Sequence, residues 1–239
     1  MKVLIIGGYG LLGTDIYNYF KNSGHTICRL KKEECDITDI YSLKRSITGF
    51  EPDLIVHAAG YTNVELSEQK PMEAYNINSV SMYNLLSSVA ESEPTIVFFS
   101  TDYVFDGEKG SPYTEEDRCH PINAYGFSKL IAEDILRANY KKYYIVRTSW
   151  LFGKSGKCFP EVILNKLVSS TQTLNVVSDQ IGSPTYTEDL AKGLVDLLKC
   201  PYGTYHVTNS GSTSWFELAC SIAQKKRFLG RTYSVHCIK

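Results

Sequence analysis

Short apolar runs recur along the chain, and between them lie stretches in which apolar residues return every third or fourth position. The first run, "KVLII" at residues 2–6, leads into a glycine-rich turn. After it comes "LLGTDIYNYFKN", where Leu12, Ile16, Tyr19 and Phe20 repeat at helical spacing. "HTICRL", "DLIVHAA", "TIVFFS" and "YYIVRTSW" read as later strands, each followed by a helical or loop segment. Their near-continuous Val, Ile, Leu and Phe content suits strands covered on both faces. Strands alternating with helices predict an α/β fold, a doubly wound parallel sheet of the Rossmann kind.

Past residue 150 the texture changes. "FPEVILNKLVSS", "TEDLAKGLVDLL" and "SWFELACSIAQKK" read as helices, the second introduced by Thr185 with Glu188 and the third by Ser214 with Glu217. Both pairs have the spacing at which a hydroxyl and a carboxylate satisfy the free amides of a helix start. "TLNVV" and "TYHVT" read as short strands between them. Without a repeat or a flexible linker, any second lobe is expected to pack against the first. One connection, "TDYVFDGEKGSPYTEEDRCHPIN" from Thr101 to Asn123, is long, polar and aperiodic. Loops of that length in compact domains are usually functional.

Composition narrows the partners. A formal net charge of -1 over 239 residues leaves no basic footprint for nucleic acid, so small molecules or proteins are expected instead. Seven cysteines (28, 35, 119, 158, 200, 220 and 237), none in a CxxC pair, predict free thiols in a reducing compartment, and the five histidines show no metal-binding spacing. The apolar run in "MKVLIIGG" stops too soon for a signal peptide, and no later stretch reaches the ~18 residues of a membrane span. A soluble cytoplasmic protein is predicted.

The candidate chemistry begins at "GGYGLLG", which satisfies GxGxxG at Gly8, Gly10 and Gly13 and GxxGxxG at Gly7, Gly10 and Gly13. It follows a strand and opens a helix, as a turn that brings backbone amides to a pyrophosphate must. Cofactor choice is read at the end of the second strand, where Arg29, Lys31 and Lys32 precede Glu33 and Glu34. The cations match a 2'-phosphate and favour NADP(H), with NAD(H) as the alternative.

"AYGFSK" places Tyr125 four residues before Lys129, but "YNYFK" places Tyr17 four before Lys21. With seventeen tyrosines, about one such match is expected by chance, so spacing alone does not decide. Location does. Tyr17 lies behind the phosphate turn, whereas Tyr125 opens a helix after the strand that ends near Thr101, where ligands of such sheets bind. Lys129, one helical turn away, would lower the phenol's pKa, and Thr101 would hold a substrate oxygen toward it.

With "HAAG" at 57–60 and "STD" at 100–102, these residues resemble the extended short-chain dehydrogenase/reductases. Within them, "AAGYTNVE", "STDYVFDG", "PINAYGFSK", "RTSWLFG" and "SDQIGSPTY" are similar, in order, to the dTDP-4-dehydrorhamnose reductase family. The resemblance implies reduction of the C4 ketone of a nucleotide-linked deoxysugar, with Thr101, Tyr125, Lys129 and Asp102 as catalytic positions. It implies cofactor contacts at Gly7, Gly10, Leu11, Leu12, Gly13, Asp36, Ile37, Ala58, Ala59, Tyr61, Tyr125 and Lys129, beside the Arg29 already read. On the substrate side it implies Tyr103, Val104, Trp150, Gln180 and Pro184, with Trp150 stacking on the sugar. Trp150 also reads as a core aromatic, and "DQIGSPTY" as a turn before a helix.

The implied organisation is an NAD(P)-binding domain at 1–150 and a substrate lobe at 151–239 partly interleaved with its sheet. A small-molecule nucleotide sugar is the expected partner, without nucleic acid or membrane, and a homodimer is left open. Two departures stand out. Ile6 replaces a common Thr, and "KKRFLGRTYSVHCIK" replaces the family's longer continuation, so the substrate lobe is expected to be incomplete. Two further readings stay open: a non-catalytic dinucleotide-binding subunit resembling that of methionine adenosyltransferase, and a reductase or epimerase of another nucleotide sugar.

Overall fold

The computed structural model describes residues 1–89, 93–169, 173–227 and 235–238, the last four and residues 226 and 227 by their backbone alone. Part of the divergent tail, and the thiol expected at Cys237, therefore lie outside the described residues. The chain runs β1 (Lys2–Ile6), α1 (Leu11–Phe20), β2 (Thr26–Leu30), α2 (Ile40–Phe50), β3 (Leu54–His57), α3 (Val64–Gln69) and α4 (Pro71–Tyr75). A π-helical turn at Asn76–Val80 leads to α5 (Ser81–Val89), β4 (Thr95–Thr101), a 3-10 turn at Asp102–Val104, α6 (Ala124–Asn139) and β5 (Tyr143–Thr148). There follow β6 (Leu151–Phe152), α7 (Phe159–Ser169), β7 (Leu174–Val177), β8 (Ile181–Gly182) and β9 (Thr185–Tyr186). The last elements are α8 (Thr187–Leu197), β10 (Gly203–His206), β11 (Thr213–Ser214), α9 (Trp215–Arg227) and β12 (Val235–Ile238).

Successive side chains of a strand point to opposite faces, and β1 is apolar on both. Val3 and Ile5 join Leu12, Ile16 and Phe20 of α1 and Leu190 and Leu194 of α8. Leu4 and Ile6 join Leu43 and Ile47 of α2, Leu85 of α5 and Leu136 of α6. Each such side chain, taken fully out of water, contributes roughly 1.5–3 kcal/mol, so a strand buried on both faces anchors two helical layers at once.

The main sheet has six parallel strands in the order β10-β5-β4-β3-β1-β2. Chain direction across it reverses between β1 and β3, which opens a crevice at their carboxyl ends. The second half of the chain enters this core directly. "TYHVT" supplies β10, with Gly203 opposite Tyr144 and His206 opposite Arg147, and α8 packs on α1 through a 2.5 Å hydrogen bond from Thr187 to Asp15. A smaller cluster joins Ile163 and Leu167 of α7, Val176 of β7 and Ala219 and Ala223 of α9.

The expected cap at Ser214 forms. The Ser214 amide donates to Glu217 Oε2 at 2.8 Å, and the Glu217 amide to Ser214 Oγ at 3.1 Å. The one expected at Thr185 and Glu188 does not. Thr185 sits in β9 with its hydroxyl donating to the Ser183 carbonyl at 3.1 Å, and Lys154 draws the Glu188 carboxylate away at 2.7 Å. α8 instead starts after Tyr186, which makes no side-chain cap. No helix among the described residues is long and apolar enough to cross a membrane.

Candidate active site

The glycine turn closes the crevice from the β1 side. Gly7 has φ +78°, and a β-carbon there would lie 2.6 Å from the Ala59 amide nitrogen. A β-carbon at Gly13 would lie 2.2 Å from the Gly7 carbonyl oxygen. A side chain is thus excluded at Gly7, which meets Ala58 and Ala59, and at Gly13, which meets Gly7 and Gly8, and with Gly10 between them the turn is a bare backbone cradle. Gly10, at the N-cap of α1, supplies no side-chain cap, which leaves the first-turn amides at Leu11 and Leu12 oriented to receive an anion. The Leu12 side chain itself is buried in the core. This cradle fits a dinucleotide pyrophosphate.

The remaining predicted cofactor contacts spread around the crevice. Arg29 pairs with Ile5 at the end of β2, and its guanidinium lies against the rings of Tyr9 and Tyr17. The Asp36 carboxylate accepts from the amide and hydroxyl of Thr38 at 2.9 and 2.7 Å, which holds its pKa below the usual carboxylate range. Ile37 is buried against α2 and α5, so both residues are held by their own surroundings. The Tyr61 amide donates to Asn78 Oδ1 at 2.8 Å, while the Tyr61 phenol oxygen is buried with no hydrogen-bond partner among the described residues.

Across the crevice, β4 ends at Thr101, whose hydroxyl donates to Asp102 Oδ1 at 3.0 Å and accepts from the Tyr103 amide at 3.2 Å. Asn123 caps α6 by accepting from the Gly126 amide at 2.8 Å. α6 presses on the 3-10 turn so closely that a β-carbon at Gly126 would lie 2.1 Å from the Tyr103 carbonyl oxygen. Glycine in "AYGFSK" is therefore the residue that brings Tyr125 beside Thr101. The Tyr125 ring is buried edge-on to Tyr103, with centroids 5.8 Å apart.

Lys129 is buried one turn along, its Nζ 4.0 Å from the centre of the Phe98 ring. Burial pulls the ammonium down to about 7, against the opposing charge of Glu133. Burial also pushes the Tyr125 phenol well above its ordinary value, with the Thr101 hydroxyl acting to lower it and the charges of Asp102 and Tyr103 adding to the rise. This corrects the expectation that Lys129 sets the phenol low: with the ammonium over Phe98, desolvation is the larger effect. Asp102 is raised to about 6 by burial, against its hydrogen bond from Thr101. Behind Lys129, His57 is buried and held to about 3 by burial and by the lysine's charge, so it is neutral.

Two features that sequence spacing did not single out fix α6 in place. Glu133 is fully buried and accepts from Arg147 of β5 at 2.7 and 3.1 Å while also pairing with Arg137. The π-helical turn projects Asn78 toward Ser128, whose hydroxyl accepts from Nδ2 at 2.8 Å, and Asn78 Nδ2 also donates to the Tyr61 carbonyl at 3.1 Å. One asparagine thus ties the loop after β3 to the helix that carries Lys129.

On the expected substrate side, Tyr103 is partly buried, while the Val104 side chain is fully buried and its carbonyl accepts from the His120 amide at 2.8 Å. Trp150 stands in a left-handed turn after β5, with φ 48°. Its indole stacks on Trp215, centroids 3.5 Å apart and planes 10° apart. Gln180 Oε1 accepts from the Trp215 indole N–H at 3.2 Å, and Pro184 lies between Ser183 and Thr185, both of which bond the Ser149–Trp150 segment. Trp150, Gln180 and Pro184 are therefore brought together, and Trp215 is the residue missed. Its signal was a capping box that sets an aromatic residue at the first position of a helix.

A family model described as "RmlD substrate binding domain" matches residues 1–237. The chain is 40% identical over 224 residues to the spore coat polysaccharide biosynthesis protein SpsK of Bacillus subtilis, covering 94% of this chain and 79% of that one. It is 35% identical over 229 residues to a dTDP-4-dehydrorhamnose reductase of Aggregatibacter actinomycetemcomitans, covering 92% and 78%. Its structure is similar to that of a dTDP-4-dehydrorhamnose reductase of Bacillus anthracis solved in complex with NADP, with a TM-score of 0.93 and 36% identity, covering 100% of this chain and 84% of the other.

Proposed function

Because the chain belongs to the RmlD substrate binding domain family, we propose that it is an NADPH-dependent reductase of the C4 ketone of dTDP-4-dehydro-6-deoxy-L-mannose. The product is dTDP-L-rhamnose, a precursor of cell-surface polysaccharide, and the reaction takes place in the cytoplasm. The observation that carries this reading is the burial of Thr101, Tyr125 and Lys129 together at the carboxyl end of β4, across the crevice from the bare glycine turn.

NADPH, when bound, supplies a hydride to the ketone carbon. Gly7, Gly10 and Gly13 with Ala58 and Ala59 hold its pyrophosphate, and Arg29 takes the adenosine end. Thr101 orients the ketone oxygen by hydrogen bonding. Tyr125, its phenol pushed up by burial, keeps its proton at neutral pH and gives it to the alkoxide, a stronger base than a phenolate. Lys129, titrating near 7, is suited to return a proton to the phenolate between turnovers. Asp102 holds Thr101 through the bond at 3.0 Å. On the substrate side, Trp150 and Gln180 face the sugar.

The test is NADPH oxidation on mixing the protein with dTDP-4-dehydro-L-rhamnose, with the product identified by mass and chromatography. Turnover to dTDP-L-rhamnose is expected. Tight cofactor binding without turnover of this sugar would overturn the reading in favour of a non-catalytic dinucleotide-binding subunit.

A further inference from the structure

Arg29 is held in an unusual way. Its guanidinium carbon lies 4.1 Å from the centre of the Tyr9 ring and 3.9 Å from that of Tyr17. Both rings therefore contact the one guanidinium at cation–π distance. Its N–H edge, by contrast, makes no ion pair or hydrogen bond among the described residues. The Glu34 carboxylate accepts from the Lys31 amide at 3.1 Å. Lys31, Lys32 and Glu33 are exposed.

The arginine is also moored to the turn that faces the pyrophosphate. A β-carbon at Gly8 would lie 2.5 Å from Arg29 Cβ, and the Leu30 carbonyl accepts from the amides of Gly7 and Gly8 at 3.2 and 3.1 Å. A guanidinium in contact with two rings, with a donor edge unpaired among the described residues and a fixed backbone, is arranged to meet an oxyanion with little loss of side-chain freedom.

We propose that Tyr9 and Tyr17 are positioning residues that hold Arg29 against the 2'-phosphate of NADP(H). This aromatic grip sets the preference of the site for the phosphorylated dinucleotide. The inference rests on the NADPH reading above. It also gives Tyr17 a use at the opposite end of the cofactor from Tyr125 and Lys129.

Calorimetric titration with adenosine 2',5'-bisphosphate and with 5'-AMP tests this without turnover, since neither nucleotide carries a nicotinamide. The wild type is expected to bind the bisphosphate roughly tenfold or more tightly than AMP, and Arg29→Leu is expected to abolish the difference. Tyr9→Leu, at a half-exposed position, and Tyr17→Leu should each weaken bisphosphate binding by roughly 3- to 10-fold and leave AMP binding unchanged, whereas Tyr17→Phe should keep it. An unchanged bisphosphate-to-AMP ratio in Tyr9→Leu and Tyr17→Leu overturns the grip. Equal binding of the two nucleotides by the wild type overturns the role of Arg29, and binding of neither overturns the dinucleotide reading itself.

Discussion

Replacing Glu133 by Gln tests how the helix that carries Tyr125 and Lys129 is held to the sheet. The Glu133 side chain is 0% exposed and that of Arg147 4%, while Arg137, the other partner, is 30% exposed. Burial pushes the carboxyl's pKa up, but the hydrogen bonds and charge of Arg147, with Arg137, outweigh it and hold Glu133 ionised. Glutamine keeps the shape and removes the charge, leaving the Arg147 guanidinium buried without compensation. Breaking one side of such a pair costs about 3–5 kcal/mol. For a chain of this size that lowers the melting temperature by roughly 6–20 °C. Arg137→Ala removes only the exposed partner and should cost about 1 kcal/mol or less. The double variant Glu133→Leu with Arg147→Met, apolar on both sides, should recover most of the loss. Urea unfolding followed by circular dichroism measures all three. If Glu133→Gln costs no more than Arg137→Ala, the buried network is not what seats α6.

Tyr125→Phe should lower turnover by at least ~100-fold while leaving NADPH affinity nearly unchanged. Tyr17→Phe is the matched control with near-normal turnover, and comparable turnover of the two variants would remove Tyr125 from the acid role. Lys129 titrates near 7 in the folded protein against 10.5 for the ordinary group. Between those values the unfolded chain binds more protons, so stability rises with pH across the window and is lost as pH falls toward 7. Lys129→Met should flatten that slope, by at most ~1.4 kcal/mol per pH unit, and parallel curves for wild type and variant would contradict the depressed ammonium. Trp150 and Trp215 are the chain's only two tryptophans, so their stack should give an exciton couplet in circular dichroism that vanishes when either becomes Phe. A double-mutant cycle on the pair should show coupling of about 0.5–1.5 kcal/mol, and additive effects would mean the rings do not stack in solution.

The sheet strands through β5 were legible because each is a run of apolar residues bounded by turn chemistry, and burial on both faces leaves few other uses for such a run. What periodicity could not show was partnership. "TYHVT" reads as a strand on its own, but nothing in those residues says that it lies beside β5, with α7 and α8 between them in the chain. The Thr185–Glu188 spacing suited a cap, yet Ser183 and Lys154, distant from or extraneous to that pattern, claimed the two side chains. The glycine turn and the Tyr125–Lys129 spacing were visible as local motifs. The state of the lysine was not, since it depends on the burial of its ammonium by parts of the chain remote in sequence. The π-helical turn at Asn76–Val80 was equally hidden, because it differs from its flanking helices by a hydrogen-bond shift and not by composition.

The position of β10 bears on how the molecule comes into being. Its strand sits at the sheet edge beside β5, and α8 lies over α1, so Tyr144, Val146, Leu12 and Ile16 gain their cover from residues more than fifty positions further along. During synthesis the phosphate turn and the acid helix emerge early, but their scaffold stays open on one flank until residue 206 has left the ribosome. A nascent chain of this kind waits with apolar surface bare, and its assembly is paced by translation of the second half.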